Sequence, residues 1–285
     1  MPELPEVEAL CRSLDSQLRG RVVADVTLRS VAVLKTYDPP VSALRGRAVV
    51  GCRRIGKFID IEIDSLHLVE HLARAGWLRW RDSARDARPS LRGPLAAVVS
   101  FADGSALEMT EQGTEKRLAM YLVHRVEDVG GVARLGIDAL DPALTAERLA
   151  ALLHASSGTL KNALADQAMI AGVGNAYSDE ILHAARLSPF RTASRLDAEE
   201  VMRLHEAMGS VLRTAISRAL EVDAGSLRDT KRSALQVHGR TGERCPVCGD
   251  TVRDVSLSTR SFQYCPTCQT GGRVYADRRL SRLLR

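Results

Sequence analysis

The sequence predicts an α+β protein with an N-terminal β-sandwich domain and a C-terminal helical domain that ends in a cysteine module. Three observations lead there. Between residues 22 and 123, apolar runs of strand length recur between Gly, Asp and Pro, the pattern of an antiparallel sandwich. After Asp141-Pro142 the apolar spacing turns helical. Near the end, Cys245-x2-Cys248 and Cys265-x2-Cys268 are separated by 16 residues. A chain of 285 residues exceeds the usual size of one domain and is short for three, so two cores are expected.

The elements follow in order. Leu4, Val7, Leu10, Leu14 and Leu18 recur at helical spacing until Gly20 breaks the pattern. A β-rich stretch begins with Val22, Val23, Val26, Leu28, Val31 and Val33, and further strands are expected at 48–52, 58–63, 67–71, 95–101 and 118–123. Asp103-Gly104 reads as a hairpin turn, and residues 81–92 as an exposed loop. Helices are expected over 145–153, from 158, and over 197–220, the last with Met202, Leu204 or His205, Met208, Val211, Leu212 and Ala215 facing inward. Between them Gly172 and Gly174 suit a tight turn with positive φ. His183 and His205 lack metal-ligand spacing and read as core residues. The segment 221–236 reads as a short polar connection. This divides the chain into 1–126, a linker at 127–141, a helical domain at 142–224 and a terminal module at 225–285.

The net charge of +5 is unevenly placed. Residues 225–285 carry 12 Lys and Arg against 5 Asp and Glu, so the terminal module suits a polyanion. Two Cys-x-x-Cys pairs at this spacing form a closed tetrahedral site for one structural zinc held by Cys245, Cys248, Cys265 and Cys268. That usage fits a reducing compartment better than a disulfide framework. No apolar run reaches the length of a membrane span and no signal peptide precedes Pro2. A cytoplasmic protein is expected, nucleoid-associated in a bacterium.

The first residues suggest chemistry. Removal of Met1 would expose the secondary amine of Pro2, and an α-amino group has a pKa of about 8, lowered further at a helix N-terminus. Attack of such an amine on a sugar C1′ gives an iminium ion, an electron sink for β-elimination. Glu3 stands beside it for proton transfer and Glu6 lies within one helical turn. Ordinary capping also accounts for a proline and acids in a first turn.

Met1-Pro2-Glu3-Leu4-Pro5-Glu6-Val7-Glu8 resembles the opening of the formamidopyrimidine-DNA glycosylase and endonuclease VIII family, and later segments match in order. Arg53-Arg54-Ile55-Gly56-Lys57-Phe58 resembles the segment whose lysine reaches the scissile phosphodiester. Glu70-His71-Leu72-Ala73-Arg74-Ala75-Gly76 stands where the family has His-Leu-Gly-Met-Ser-Gly, so Arg74 replaces the methionine that fills the gap left by a flipped base. Residues 112–117 keep Lys116 and Arg117 but lack the family's aromatic. Residues 166–182 resemble its helix–two-turn–helix, with Asn175 and Lys161 as expected DNA contacts, and Arg260 matches the phosphate-gripping arginine of its zinc-finger hairpin.

The resemblance implies a base excision repair glycosylase with AP lyase activity. Pro2, Glu3, Lys57 and Arg260 would be catalytic; Glu6, Arg74, Lys116, Arg117, Lys161 and Asn175 would bind DNA. The partner would be damaged double-stranded DNA, held by a monomer in the groove between two domains. Two rivals are the same chemistry on an oxidised pyrimidine, single-strand or crosslinked lesion, and a zinc-containing DNA-binding protein without catalysis.

Overall fold

A computed structural model describes residues 1–83, 94–112, 114–223, 225–257 and 260–275. These form two compact units, one of Met1–Arg134 with Asp223–Ser226 and one of Leu135–Val222 with Leu227–Arg285. The division falls at residue 134, and the helical and cysteine-bearing segments share one unit.

The first unit begins with helix α1 (Leu4–Leu18). Its stripe of Leu4, Val7, Leu10, Leu14 and Leu18 is fully buried, worth about 1.5–3 kcal/mol per side chain. Gly20, at φ 79, then turns the chain into the sandwich. One sheet has the order β1-β6-β7-β5, formed by Val23–Leu28, Leu95–Phe101, Ala106–Glu111 and Gly76–Arg81; the other is β2-β3-β4-β8, formed by Val49–Ile55, Phe58–Ile63, Leu66–His71 and Ala119–Val123. All neighbouring strands pair antiparallel. Helix α1 lies on β2 and β3.

Most strands lie where the apolar runs placed them. Two differences have physical causes. Val31–Val33 forms a 3-10 turn with Val31 exposed. Strand β5 went unread because Arg79 and Arg81 interrupt its pattern; Arg81 pairs at 3.3 Å with Glu108 of β7. Residues 84–92 of the expected loop lie outside the described residues.

Within the expected linker, a short helix α2 (Gly130–Ala133) precedes β9 (Ile137–Asp138), which pairs parallel with β10 (Ile170–Ala171). Helices α3 (Ala146–His154) and α4 (Leu160–Leu164) each start at a threonine whose side chain accepts from the backbone three residues on, as N-caps do. Helix α5 (Asn175–Ala184) packs on α6 (Ala198–Leu220). The buried stripe of α6 is Val201, Leu204, Met208, Leu212, Ile216 and Ala219, whereas Met202, expected inside, is exposed. The connection after α6 holds a further helix, α7 (Leu227–Ala234), which its polar composition concealed. Strands β11 (Arg253–Leu257) and β12 (Arg260–Tyr264) form a hairpin, followed by α8 (Pro266–Thr270).

Candidate active site and nucleic-acid interface

In the first unit Pro2 is buried, and Glu3 caps α1 with extended backbone. Glu3 and Glu6 form a capping box: the Glu3 amide donates to Glu6 Oε2 at 2.8 Å, and the Glu3 side chain accepts from the Glu6 amide. Both carboxylates are enclosed. This box fixes the direction in which the chain enters the helix, and therefore where Pro2 sits.

Glu8, one turn further on, bonds Arg54 of β2 at 2.9 Å, and the same guanidinium donates to the Gly56 carbonyl at 3.0 Å. Gly56, at φ 59, forms the tight turn that delivers Lys57, which is only 7% exposed. Burial pushes the Glu8 carboxyl up, but bonds from Arg12 and Arg54 outweigh this and hold it below its ordinary value. His71 pairs with Phe58 across the strands, their rings 4.7 Å apart. Burial, with the charge of Lys57, pushes His71 down to about 4, so at neutral pH the imidazole is uncharged. Glu70 is wholly buried with neither carboxylate oxygen bonded. Burial pushes it up to about 8.

Arg74 is exposed in the turn joining β4 to β5. Ala73 before it has φ 49, a left-handed conformation that favours glycine. Gly76 closes the turn through a 2.8 Å bond from its amide to the Leu72 carbonyl, where a Cβ would lie 2.3 Å from that oxygen. At 116–118, Glu111 shapes the chain; Gly113 of the expected segment lies outside the described residues. Its carboxylate accepts from the Arg117 and Leu118 amides at 2.6 and 2.7 Å, and its carbonyl accepts from Lys116 Nζ at 2.7 Å. Arg117 is exposed beside Glu115 at 3.3 Å.

In the second unit the turn before α5 is bonded through Gln167, which accepts from the Gly172 amide at 3.1 Å and donates to the Val173 carbonyl at 2.6 Å. Gly172 has φ 100, but Gly174 is an extended N-cap at φ −122, so only the first glycine needs a positive φ. Asn175 opens α5 with its Oδ1 enclosed and bonded to no protein group.

The four sulfurs of Cys245, Cys248, Cys265 and Cys268 lie within 4.8 Å of one another. The Cys245–Cys268 pair stands at 3.9 Å and Cys248–Cys265 at 3.3 Å. A tetrahedron with Zn–S of about 2.3 Å has edges of about 3.8 Å, so the cage fits the ion, which would serve as scaffold. His183 Nε2 approaches Cys245 Sγ at 3.3 Å, placing a second-layer contact between α5 and the cage.

Three profiles cover most of the chain. The formamidopyrimidine-DNA glycosylase N-terminal domain matches residues 1–118, its H2TH domain matches 135–230, and the zinc finger found in FPG and IleRS matches 242–271. A formamidopyrimidine-DNA glycosylase of Moorella thermoacetica is 37% identical over 90% of this chain and 94% of its own. The chain belongs to the formamidopyrimidine-DNA glycosylase family. It is thus a base excision repair DNA glycosylase with the sandwich, helix–two-turn–helix and zinc finger of that fold. An uncharacterized formamidopyrimidine-DNA glycosylase-like protein of Mycobacterium tuberculosis is 57% identical, over 53% of this chain and 94% of its own. Among solved structures, MutM (FPG) of Thermus thermophilus is 30% identical with a TM-score of 0.80, covering 94% of this chain and 98% of that one. Lactococcus lactis Fpg in complex with N7-benzyl-Fapy-dG DNA is 25% identical with a TM-score of 0.84, covering 94% and 100%.

Against this glycosylase frame two expected DNA contacts need correction. Lys161 is completely enclosed, with its Nζ 2.5 Å from Asp179 Oδ1 and 2.5 Å from the Ser261 carbonyl, so it has no surface to offer DNA. Glu6 is 3% exposed and holds the Glu3 backbone; its observed work is on the chain terminus. Pro2, Glu3 and Lys57 fall in the first unit, Asn175 and Arg260 in the second. Sequence reasoning missed Glu8, Arg54, His71, Asp179 and the sulfur contact of His183. Only the Glu8 and Arg54 pairing left a sequence signal, opposite charges in two family segments.

Proposed function

We propose that this enzyme excises a damaged base from double-stranded DNA as a monomer and then cleaves the strand through a Schiff base on Pro2. The observation that carries the reading is the terminus itself: Pro2 and Glu3 are buried at the start of a capped helix whose second turn is bonded to the turn bearing Lys57.

With Met1 removed, the Pro2 nitrogen lone pair forms a bond to C1′ as the glycosidic bond breaks and the base departs with a proton. The sugar ring opens with Glu3 moving the proton at the ring oxygen, leaving an iminium ion. Loss of a C2′ proton then expels the 3′ phosphate, a second elimination expels the 5′ phosphate, and water releases the amine. Lys57 and Arg260 hold the two flanking phosphates as cations, and the Asn175 end of α5 offers backbone N–H groups to the strand. Flipping costs a few kcal/mol, met by these phosphate contacts and by Arg74 and the 116–117 segment at the opened stack. A ring-opened purine, the class held by the Lactococcus lactis relative, is the first lesion to test.

Borohydride added to enzyme and abasic-site DNA should yield a covalent complex attached at residue 2 of a protein lacking Met1. Trapping at full yield by Pro2→Gly, with attachment elsewhere, would refute the nucleophile. Glu3→Gln should keep DNA affinity and lose base removal.

A further inference from the structure

Among the described residues, the outer edge of β12 is closed by two side chains instead of a third strand. The Ser261 carbonyl and the Gln263 amide, two residues apart, face the same way along that edge. Lys161 Nζ donates to the Ser261 carbonyl at 2.5 Å, and Asp179 Oδ1 accepts from the Gln263 amide at 3.2 Å. The two side chains meet each other at 2.5 Å, and both are wholly buried. His238 Nδ1 lies 2.8 Å from Asp179 Oδ2. The Phe262 ring lies 5.1 Å from Lys161 Nζ and stacks on Phe190 at 5.5 Å.

A buried ion pair adds little stability, because desolvation offsets its attraction. An apolar pair of equal volume would fill the space but could not grip a carbonyl and an amide. What the pair supplies is position: it sets β12 lengthwise on α4 and α5, with Arg260 one residue before the gripped Ser261. We propose that Lys161, Asp179 and His238 are positioning residues that place the Arg260 guanidinium for its DNA phosphate. This rests on the reading of Arg260 as a phosphate ligand.

The test uses the full-length zinc-loaded enzyme and a duplex containing a reduced abasic site. Lys161→Met/Asp179→Leu replaces the pair by apolar groups, and the same double change is also made with Arg260→Ala. Binding is measured against salt, with zinc content and thermal melting followed in parallel. The expected result is retained zinc, about tenfold weaker binding (about 1.4 kcal/mol), and a salt slope flatter by about one. Arg260→Ala alone should give the same loss, and the combined variant no more.

A folded, zinc-loaded double variant that binds like wild type overturns the proposal, as do losses that multiply with Arg260→Ala. Should the first double variant not fold, Lys161→Met/Asp179→Asn, which keeps an acceptor for the Gln263 amide, is judged by the same criteria. Wild-type affinity and salt slope in Arg260→Ala alone overturn the reading of Arg260, and the positioning role with it.

Discussion

Arg54 of β2 bonds Glu8 of α1 at 2.9 Å while its other nitrogen holds the Gly56 carbonyl at 3.0 Å. One guanidinium thus joins the helix that begins at Pro2 to the turn that presents Lys57. The side chains of Arg54 and Glu8 are 11% and 20% exposed, so solvent competes little for the link. Arg54→Ala should cost about 1–3 kcal/mol of stability and slow borohydride trapping, while Lys57 itself is intact. Single-turnover trapping on abasic DNA, read beside thermal melting, checks this. Unchanged trapping in a folded variant would show that the link is not needed for chemistry.

Glu70 predicts a pH-dependent stability. Its folded pKa of about 8 lies above the ordinary value of 4.5. Below pH 4.5 both folded and unfolded chains hold the proton, and the burial costs nothing extra from ionisation. Between there and pH 8 the unfolded chain loses the proton while the folded one keeps it, so stability falls as pH rises, by about 1.4 kcal/mol per unit at most. Glu70→Leu should therefore melt higher than wild type, with a gap that widens from pH 5 to pH 8. A gap independent of pH would count against the buried neutral carboxyl.

Zinc removal should be a loss of structure before a loss of chemistry. Cys245→Ser or Cys268→Ser is expected to lose the metal and DNA binding together, because the ribbon is too small to hold its shape by packing alone. Metal analysis and a binding assay decide it. Normal affinity without zinc would contradict the scaffold role.

Arg74 bears on selectivity. It stands exposed at a turn where the family pattern has methionine, and 112–117 includes no aromatic. With charge and guanidinium stacking as the means of holding the orphaned base, excision should vary little among the four opposite bases. Arg74→Ala should slow duplex cutting more than single-strand cutting. Single-turnover excision on each substrate measures both; a preference of about a hundredfold for one opposite base, roughly 2.7 kcal/mol, would refute the first expectation, and equal slowing on single strands the second.

Local residue chemistry determined much of this protein. The period of apolar residues marked α1, β3, β6 and α6 because each has one continuous buried stripe or run. Cysteine spacing alone specified a zinc cage, since four thiolates at short separations leave few other uses. The terminal Pro2-Glu3 pair stood out as a candidate site through the resemblance of Met1–Glu8 to the family's opening, since its local chemistry alone fits ordinary capping equally. The tertiary structure decided which charges are available. Lys161 and Arg260 are both cations in family segments, yet Lys161 is sealed against Asp179 while Arg260 is half-buried on a hairpin. Burial depends on what packs 18 and 100 residues away, and no local pattern encodes those distances. The same holds for Glu70, whose carboxyl is pushed up by burial in a core assembled from separate strands, and for Glu8 and Arg54, 46 residues apart, which meet only once α1 has been laid on β2.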